Sequence, residues 1–147
     1  MTRVAVRSAG EQRIQDDRLA AMRRPAAPNR NGERADLVVA RAMLRMQRDR
    51  AKFLPGDLFC DPAWHMLLEL YVLDALGRPI SVSGLCAASE IPHTTALRWI
   101  GRLVDSQLID RHPDLHDARR TWLKLTFKGR AQLEAYFEAA SEAAARE

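Results

Sequence analysis

Cysteine is scarce in this chain: Cys60 and Cys86 are the only two among 147 residues. Two thiols make neither a disulfide framework nor, without further ligands at close spacing, a metal site, and such usage fits a reduced, cytoplasmic setting. Long apolar runs are missing too. None approaches the roughly 18 residues a membrane span needs, so no membrane association is expected. The opening MTRVAVRSAGEQRIQDDR has no apolar core of a secretory signal, and Glu11, Asp16 and Asp17 argue against a transit peptide. There is no Ser/His/Asp set, no metal cluster and no glycine-rich phosphate loop, and the four histidines (65, 93, 112 and 116) are scattered. These absences speak against an enzyme, a bound cofactor or a structural metal.

What remains is a chain of one-domain length with 47% hydrophobic residues and a formal charge of +4. The distribution of charge says more than the total. Residues 1–34 carry eight basic and four acidic side chains, 35–80 six of each, 81–130 eight and five, and 131–147 one and four. The basic excess therefore lies in the N-terminal stretch and in 81–130, where a polyanion would need it.

Residues 1–32 are polar, arginine-rich and broken by Pro25, Pro28 and Asn31-Gly32. Their apolar residues keep no period, which predicts a disordered basic tail, either adding non-specific affinity for nucleic acid or simply solvated. A helix is expected over Glu33–Lys52, with Leu37, Val38, Ala40, Met43, Leu44 and Met46 as its apolar stripe, facing either its own domain or a second subunit. Phe53-Leu54-Pro55-Gly56 ends it. Asp61-Pro62 reads as a cap and first turn for a core helix that is apolar nearly all round, stopped by Gly77. Its expected core residues are Trp64, Leu67, Leu68, Tyr71, Val72 and Leu76, with His65 an ordinary satisfied or surface histidine.

From Ile80 onward the pattern becomes compact. Ile80 reads as a short strand, Ser83 as the cap of a brief helix over Gly84–Ser89, and Glu90-Ile91 as a turn. Pro92 then opens a helix running to about Ser106. On it Ala96, Trp99, Ile100, Leu103 and Val104 share one face. His93, Thr94, Thr95, Leu97, Arg98, Gly101, Arg102 and Asp105 lie opposite. Strands at Leu108–Arg111 and Trp122–Leu125 flank the charged loop HPDLHDARRT, and Leu123 and Leu125 alternate inward. A helix from Phe127 to about Ala144, capped by Thr126, closes the chain. Two helices followed by a hairpin make a winged helix-turn-helix, a mainly α fold with a small β-hairpin wing.

The exposed face of helix 92–106 has the chemistry of a groove reader. His93, Thr94 and Thr95 place short polar groups at a helix N-terminus, where phosphate is favoured. Arg98 can give two hydrogen bonds to a guanine edge, and Arg102 is better placed for the backbone. Gly101 leaves no side chain to obstruct close approach. In the wing, over 112–121, Arg119 and Arg120 suit a narrow minor groove, and Asp117 could hold Arg119 in a bidentate pair.

The stretch Ile80–Gly129 resembles the winged-helix core of the MarR-type transcriptional regulators. The matching residues are Ile80, Ser81, Leu85-Cys86, the Pro92–Thr95 turn, Arg98, the wing Asp117-Ala118-Arg119, and Leu125-Thr126-Phe127-Lys128-Gly129. Glu90 and Gln107 depart from it, standing where glycines are common. The resemblance implies a homodimer on double-stranded DNA, with helix 92–106 in the major groove and the wing arginine in the minor groove. It also implies that 33–147 forms one domain whose helices 33–53 and 127–144 flank the DNA-binding lobe and dimerise, through Arg34–Phe53 and Leu133, Tyr136, Phe137 and Ala140. Small-molecule effectors are common in that family, although no residue here marks their pocket. Cys86 takes a buried alanine position of the pattern. The expected function is a sequence-specific transcriptional regulator reading a pseudo-palindromic operator. A winged helix used for protein–protein contact is the alternative, against which stands a helix face with Leu97 as its one apolar residue.

Overall fold

The computed structural model describes residues 33–55 and 61–146. The expectations for the tail 1–32, for Gly56 and for Cys60 lie outside them. In chain order the elements are α1 (Ala35–Phe53), α2 (Pro62–Ala75), β1 (Ile80–Ser81), α3 (Val82–Ala88), α4 (His93–Asp105), β2 (Ile109–Pro113), β3 (Thr121–Leu125) and α5 (Phe127–Ala144). No helix among the described residues is long and apolar enough to cross a membrane.

The helix α2 sits between two apolar clusters, which is why its sequence shows almost no polar face. Asp61 caps it by accepting from the Trp64 N–H at 3.2 Å, and Pro62 takes a first-turn position where no N–H is needed. Gly77, at φ +66°, ends it, and the Arg78 N–H reaches back to the Leu73 carbonyl at 2.9 Å. Met66 and Leu70 face one cluster with Leu85, Cys86, Ala96, Ile100, Leu103, Ile109 and Leu123. Leu68, Tyr71 and Val72 face the other with Leu37, Ala40, Leu44, Leu133 and Phe137. Each of these larger side chains gains about 1.5–3 kcal/mol from burial. The structure corrects the expected core here: Met66 and Leu70 are buried, whereas Leu76 is exposed because the helix ends at Ala75 and Leu76 is already its C-cap.

The helix α1 lies on α2 and α5 of its own domain through Leu37, Ala40 and Leu44. Met46, expected in that stripe, is exposed, since the apolar period drifts off the contact face toward the C-terminal half. Leu54 is extended ahead of Pro55, as the proline demands. At the other end of α1 a buried polar knot ties three helices. The Asp36 carboxylate accepts from the Tyr71 hydroxyl, from Arg34 and, at 2.9 Å, from the Leu37 N–H, and Arg34 also reaches Glu134 of α5 at 3.2 Å. Burial raises the Asp36 pKa, but the bonds from Tyr71 and Arg34 outweigh it and hold the group below its usual range. Its contribution to stability is therefore present at neutral pH and is lost as pH falls through that lowered value. The same burial, with Asp36 beside it, pushes the Tyr71 hydroxyl up.

The three strands form one antiparallel sheet in the order β1-β3-β2. Ile80 lies opposite Leu123, and the hairpin pairs Ile109 with Leu125 through to Pro113 with Thr121. The hairpin strands are thus longer than expected, taking in His112, Pro113 and Thr121. Pro113 is tolerated because β2 is an edge strand. Ser81, not Ser83, caps α3, accepting from the Gly84 N–H at 3.1 Å, so that helix begins and ends earlier than read from sequence.

The end of α4 and the start of α5 are held together closely. Gln107 takes φ +60°, so that the Leu108 N–H bonds back to the Leu103 carbonyl at 3.1 Å. Thr126 donates its hydroxyl to the Gln107 carbonyl at 2.6 Å while accepting the Gly129 N–H at 2.9 Å, and Lys128 reaches the Ser106 carbonyl at 3.2 Å. The N-terminus of α5 thereby satisfies the orphan carbonyls at the end of α4. Gly129 permits the approach, because a Cβ there would stand 2.1 Å from the Leu108 carbonyl oxygen.

Glu90 (φ 56°) and Gln107 both hold the left-handed conformation, which a residue with a Cβ adopts only at a cost. Thermal or urea unfolding should accordingly show Gln107→Gly more stable than the parent by up to about 1 kcal/mol. Gly129→Ala should be less stable by about 2 kcal/mol or more, since the clash is with backbone. A Gly129→Ala protein that melts with the parent would refute the close-approach account.

Candidate nucleic-acid interface

The helix α4 is strongly two-faced. Ala96, Ile100 and Leu103 are fully buried on the wing-side core, with Trp99 and Val104 packed at its margin. On the outer face His93, Thr94, Leu97, Arg98, Arg102 and Asp105 are exposed. Thr95 is half-buried, because its position falls beside Trp99 at the edge of the contact. Pro92 is the N-cap residue, with ψ 139°, and His93 is the first helical residue, one position later than expected. The pyrrolidine ring offers no acceptor, and no side chain caps the first turn, so its N–H dipoles are left for an outside acceptor.

Gly101 has no internal justification. A Cβ at that position would meet nothing within 4 Å, and glycine costs a helix interior about 0.5–1 kcal/mol against alanine. One turn earlier Leu97 and Arg98 project from the same face. Arg102 differs from Arg98 in being tethered, its guanidinium stacked 4.5 Å from the centre of the Trp99 ring. That stacking limits the reach of Arg102, while Arg98 stays outward.

The wing is organised by a residue to which sequence reading assigned no such part. The Asp114 carboxylate accepts from the backbone N–H groups of His116 (2.8 Å) and Asp117 (3.2 Å) and from the Trp122 indole N–H (2.9 Å), with Arg120 3.8 Å away. The His116 N–H bond, aided by the Asp117 and Trp122 bonds, keeps Asp114 below the usual carboxylate range. Backbone bonds close the loop on both sides, Asp114 N–H to the Arg120 carbonyl and Arg120 N–H to the Asp117 carbonyl, each at 3.0 Å. An aspartate at the mouth of a hairpin loop, two and three residues ahead of the N–H groups it captures, is the signal that was available.

Arg119 and Arg120 are held differently. Arg120 lies 5.2 Å from the centre of the Trp122 ring and beside Asp114. The Arg119 side chain is 93% exposed and touches Asp117 only through Nε at 3.4 Å. The bidentate pair expected of Asp117 is absent. Its Oδ1 instead accepts the Arg119 backbone N–H at 3.0 Å, which fixes the turn and leaves the guanidinium pointing into solvent. Two interior groups also resolve. Burial raises the Cys86 thiol, as suits a packed side chain. His65 has a polar neighbour at each ring nitrogen, the Gln47 side-chain amide 3.3 Å from Nδ1 and the Ala88 carbonyl 3.2 Å from Nε2, with Glu69 at 3.6 Å.

The flanking helices depart from the dimer surface read from sequence. Leu133 and Phe137 are buried in their own chain, Phe137 with its ring centre 5.0 Å from that of Tyr71, so neither is available to a second subunit. Tyr136, half-exposed and edge-on to Trp64 at 5.1 Å, remains on the surface, and so do Met46 and Phe53.

Comparison with protein-family models and with curated protein sequences gives no match. Solved structures do match in shape. S. aureus MepR in its DNA-binding conformation superposes with TM-score 0.51 at 20% identity, over 74% of this chain and 78% of that one. The S. aureus MepR–DNA complex superposes with TM-score 0.50 at 21% identity, over 71% and 83%. A variant of E. coli MarR gives 0.46 at 22%, over 64% and 68%. The described chain therefore shares its fold with MepR, and that fold is the winged helix-turn-helix its motifs suggested.

Because Asp114 accepts from the Trp122 indole, that indole N–H resonance should titrate with the carboxylate. Its midpoint is expected below that of a free aspartate, with the wing bonds intact above the midpoint and lost as pH falls through it. In Asp114→Asn the titration should vanish; its persistence would assign the effect to another group.

Proposed function

We propose that this chain is a sequence-specific, DNA-binding transcriptional regulator acting as a homodimer. The observation that carries the reading is α4: one face wholly built into the core, the other presenting His93, Thr94, Arg98 and Arg102 around a glycine that internal packing does not require. In the major groove, Arg98 reads a guanine edge, His93 and Thr94 meet phosphates or base edges at the uncapped helix start, and Arg102 holds the backbone. Thr95, at the margin of the face, serves the edge of the contact. The wing places Arg119 in the minor groove, with Arg120 beside a phosphate and Asp117 keeping the turn in shape.

In this reading residues 33–147 are one winged-helix domain, flanked by α1 and α5 as the dimerisation helices, and 1–32 is a basic tail. The surface of α1 and α5 that remains for a partner subunit is centred on Met46, Phe53 and Tyr136. A two-fold dimer would present two copies of α4 to a pseudo-palindromic operator. A small effector has a place in the cleft of about 200 Å³ between α1, α2 and the α3–α4 turn. Gln47, His65 and the left-handed Glu90 line it, so a ligand there would bear on the turn that aims α4.

The test is capture of sheared genomic DNA by the full-length protein, followed by binding of the enriched duplex across a salt series. Arg98→Ala should relax discrimination at one base pair by about 1–3 kcal/mol, roughly 5- to 150-fold. Arg102→Ala should weaken all sequences alike and lower the salt slope by about one. Specific binding left untouched by Arg98→Ala combined with Arg119→Ala would overturn the reading.

Gly101 separates stability from binding. Gly101→Ala should raise fold stability by about 0.5–1 kcal/mol while weakening specific DNA binding. A stabilised variant with parental affinity would show that nothing approaches α4 closely at this position.

A further inference from the structure

Among the described large apolar side chains Leu115 is the most exposed, at 93%, and it stands at the tip of the wing. A single exposed leucine is ordinary on a protein surface. Its setting here is not. The loop beneath it is closed by the Asp114–Arg120 and Arg120–Asp117 backbone bonds, and the two N–H groups that follow Leu115 in the chain are both held by the Asp114 carboxylate. The backbone thus has little freedom to fold the leucine back onto the sheet. Close to it in the chain stand two arginines, Arg119 as exposed as Leu115 and Arg120 half-exposed, paired with Asp117 at 3.4 Å and Asp114 at 3.8 Å. The carboxylates of Asp114 and Asp117 are occupied by the bonds that shape the turn.

A rigidly held apolar point on the same loop as an outward-facing arginine suits one kind of surface above others. A DNA minor groove has apolar sugar walls between two rows of phosphates, and it admits leucine as a wedge between base pairs where stacking is weak. We propose that Leu115 is such a wedge. Resting on the regulator reading above, the wing seats Arg119 in the minor groove and presses Leu115 against a pyrimidine–purine step, partly unstacking it and bending the duplex. Leu115 then contributes to specificity without hydrogen-bonding any base, by reading how easily the step deforms. It adds to the operator an element outside the major-groove half-site: a TA or CA/TG step under each wing.

The full-length protein and its Leu115→Ser variant are each used to select from a random-sequence duplex pool, and the bound DNA is sequenced. The parent should enrich a flexible step at a fixed distance outward from each half-site. Leu115→Ser should keep the half-site and lose the step, and its melting temperature should match the parent because the side chain is solvent-exposed. With 2-aminopurine at that step of the selected duplex, fluorescence should rise on binding the parent and stay flat with Leu115→Ser, whose affinity falls roughly tenfold. Leu115→Phe, still a wedge, should restore the rise. Equal step enrichment and equal fluorescence for parent and Leu115→Ser would overturn the wedge while leaving the regulator standing. Enrichment of no sequence by either protein would instead remove the regulator reading, and the wedge with it.

Discussion

Burial of α2 on two sides is the constraint from which the rest of the described structure follows. Residues two apart on this helix, Met66 against Leu68 and Leu68 against Leu70, point into different apolar clusters, so a rotation of α2 would disrupt both at once. The wing-side cluster fixes α3, α4 and the sheet, and the other fixes α1 and α5. What joins the winged lobe to its flanking helices is thus a shared wall. A change in how α1 or α5 packs would reach α4 through α2 by contact.

Polar groups sharpen this arrangement at three places. The knot of Asp36, Tyr71, Arg34 and Glu134 sets the N-terminal end of α1 against α2 and α5. Thr126 and Lys128 cap the carbonyls that α4 leaves behind, which sets the angle at which α5 departs. Asp114 gathers the wing. In each case groups that burial or a helix end would leave unpaired find partners on another element, and each bond is specific to one geometry where apolar contact alone would tolerate several.

The outward surfaces carry the opposite signature. The outer face of α4 leaves its first turn uncapped, includes a glycine with empty space around it, and keeps Arg98 free of the stacking that restrains Arg102. The wing holds its backbone closely and releases Arg119 and Leu115 into solvent. Rigid backbone beneath free side chains is what a reading surface requires, because ordering the scaffold beforehand lowers the entropy lost on binding.

Much of this was legible in the sequence, for reasons of short range. Helix positions follow from apolar period, and the Asp61-Pro62 start, the Gly77 stop and the Thr126 cap are set by groups within a few residues of one another. The outer face of α4 could be read for the same reason, since a 3.6-residue period assigns each residue to a side. Tertiary structure decided what depends on a distant neighbour. Leu76 and Met46 fit the period yet lie beyond the contact, while Leu133 and Phe137 face Tyr71 and Trp64 of their own chain. Gly129 is needed for a carbonyl that belongs to Leu108, and Asp114, whose bonds to the His116 and Asp117 N–H groups are local, gains the Trp122 indole only across the hairpin. Local pattern can say that a side chain is apolar or charged; which partner claims it depends on where the fold carries the rest of the chain.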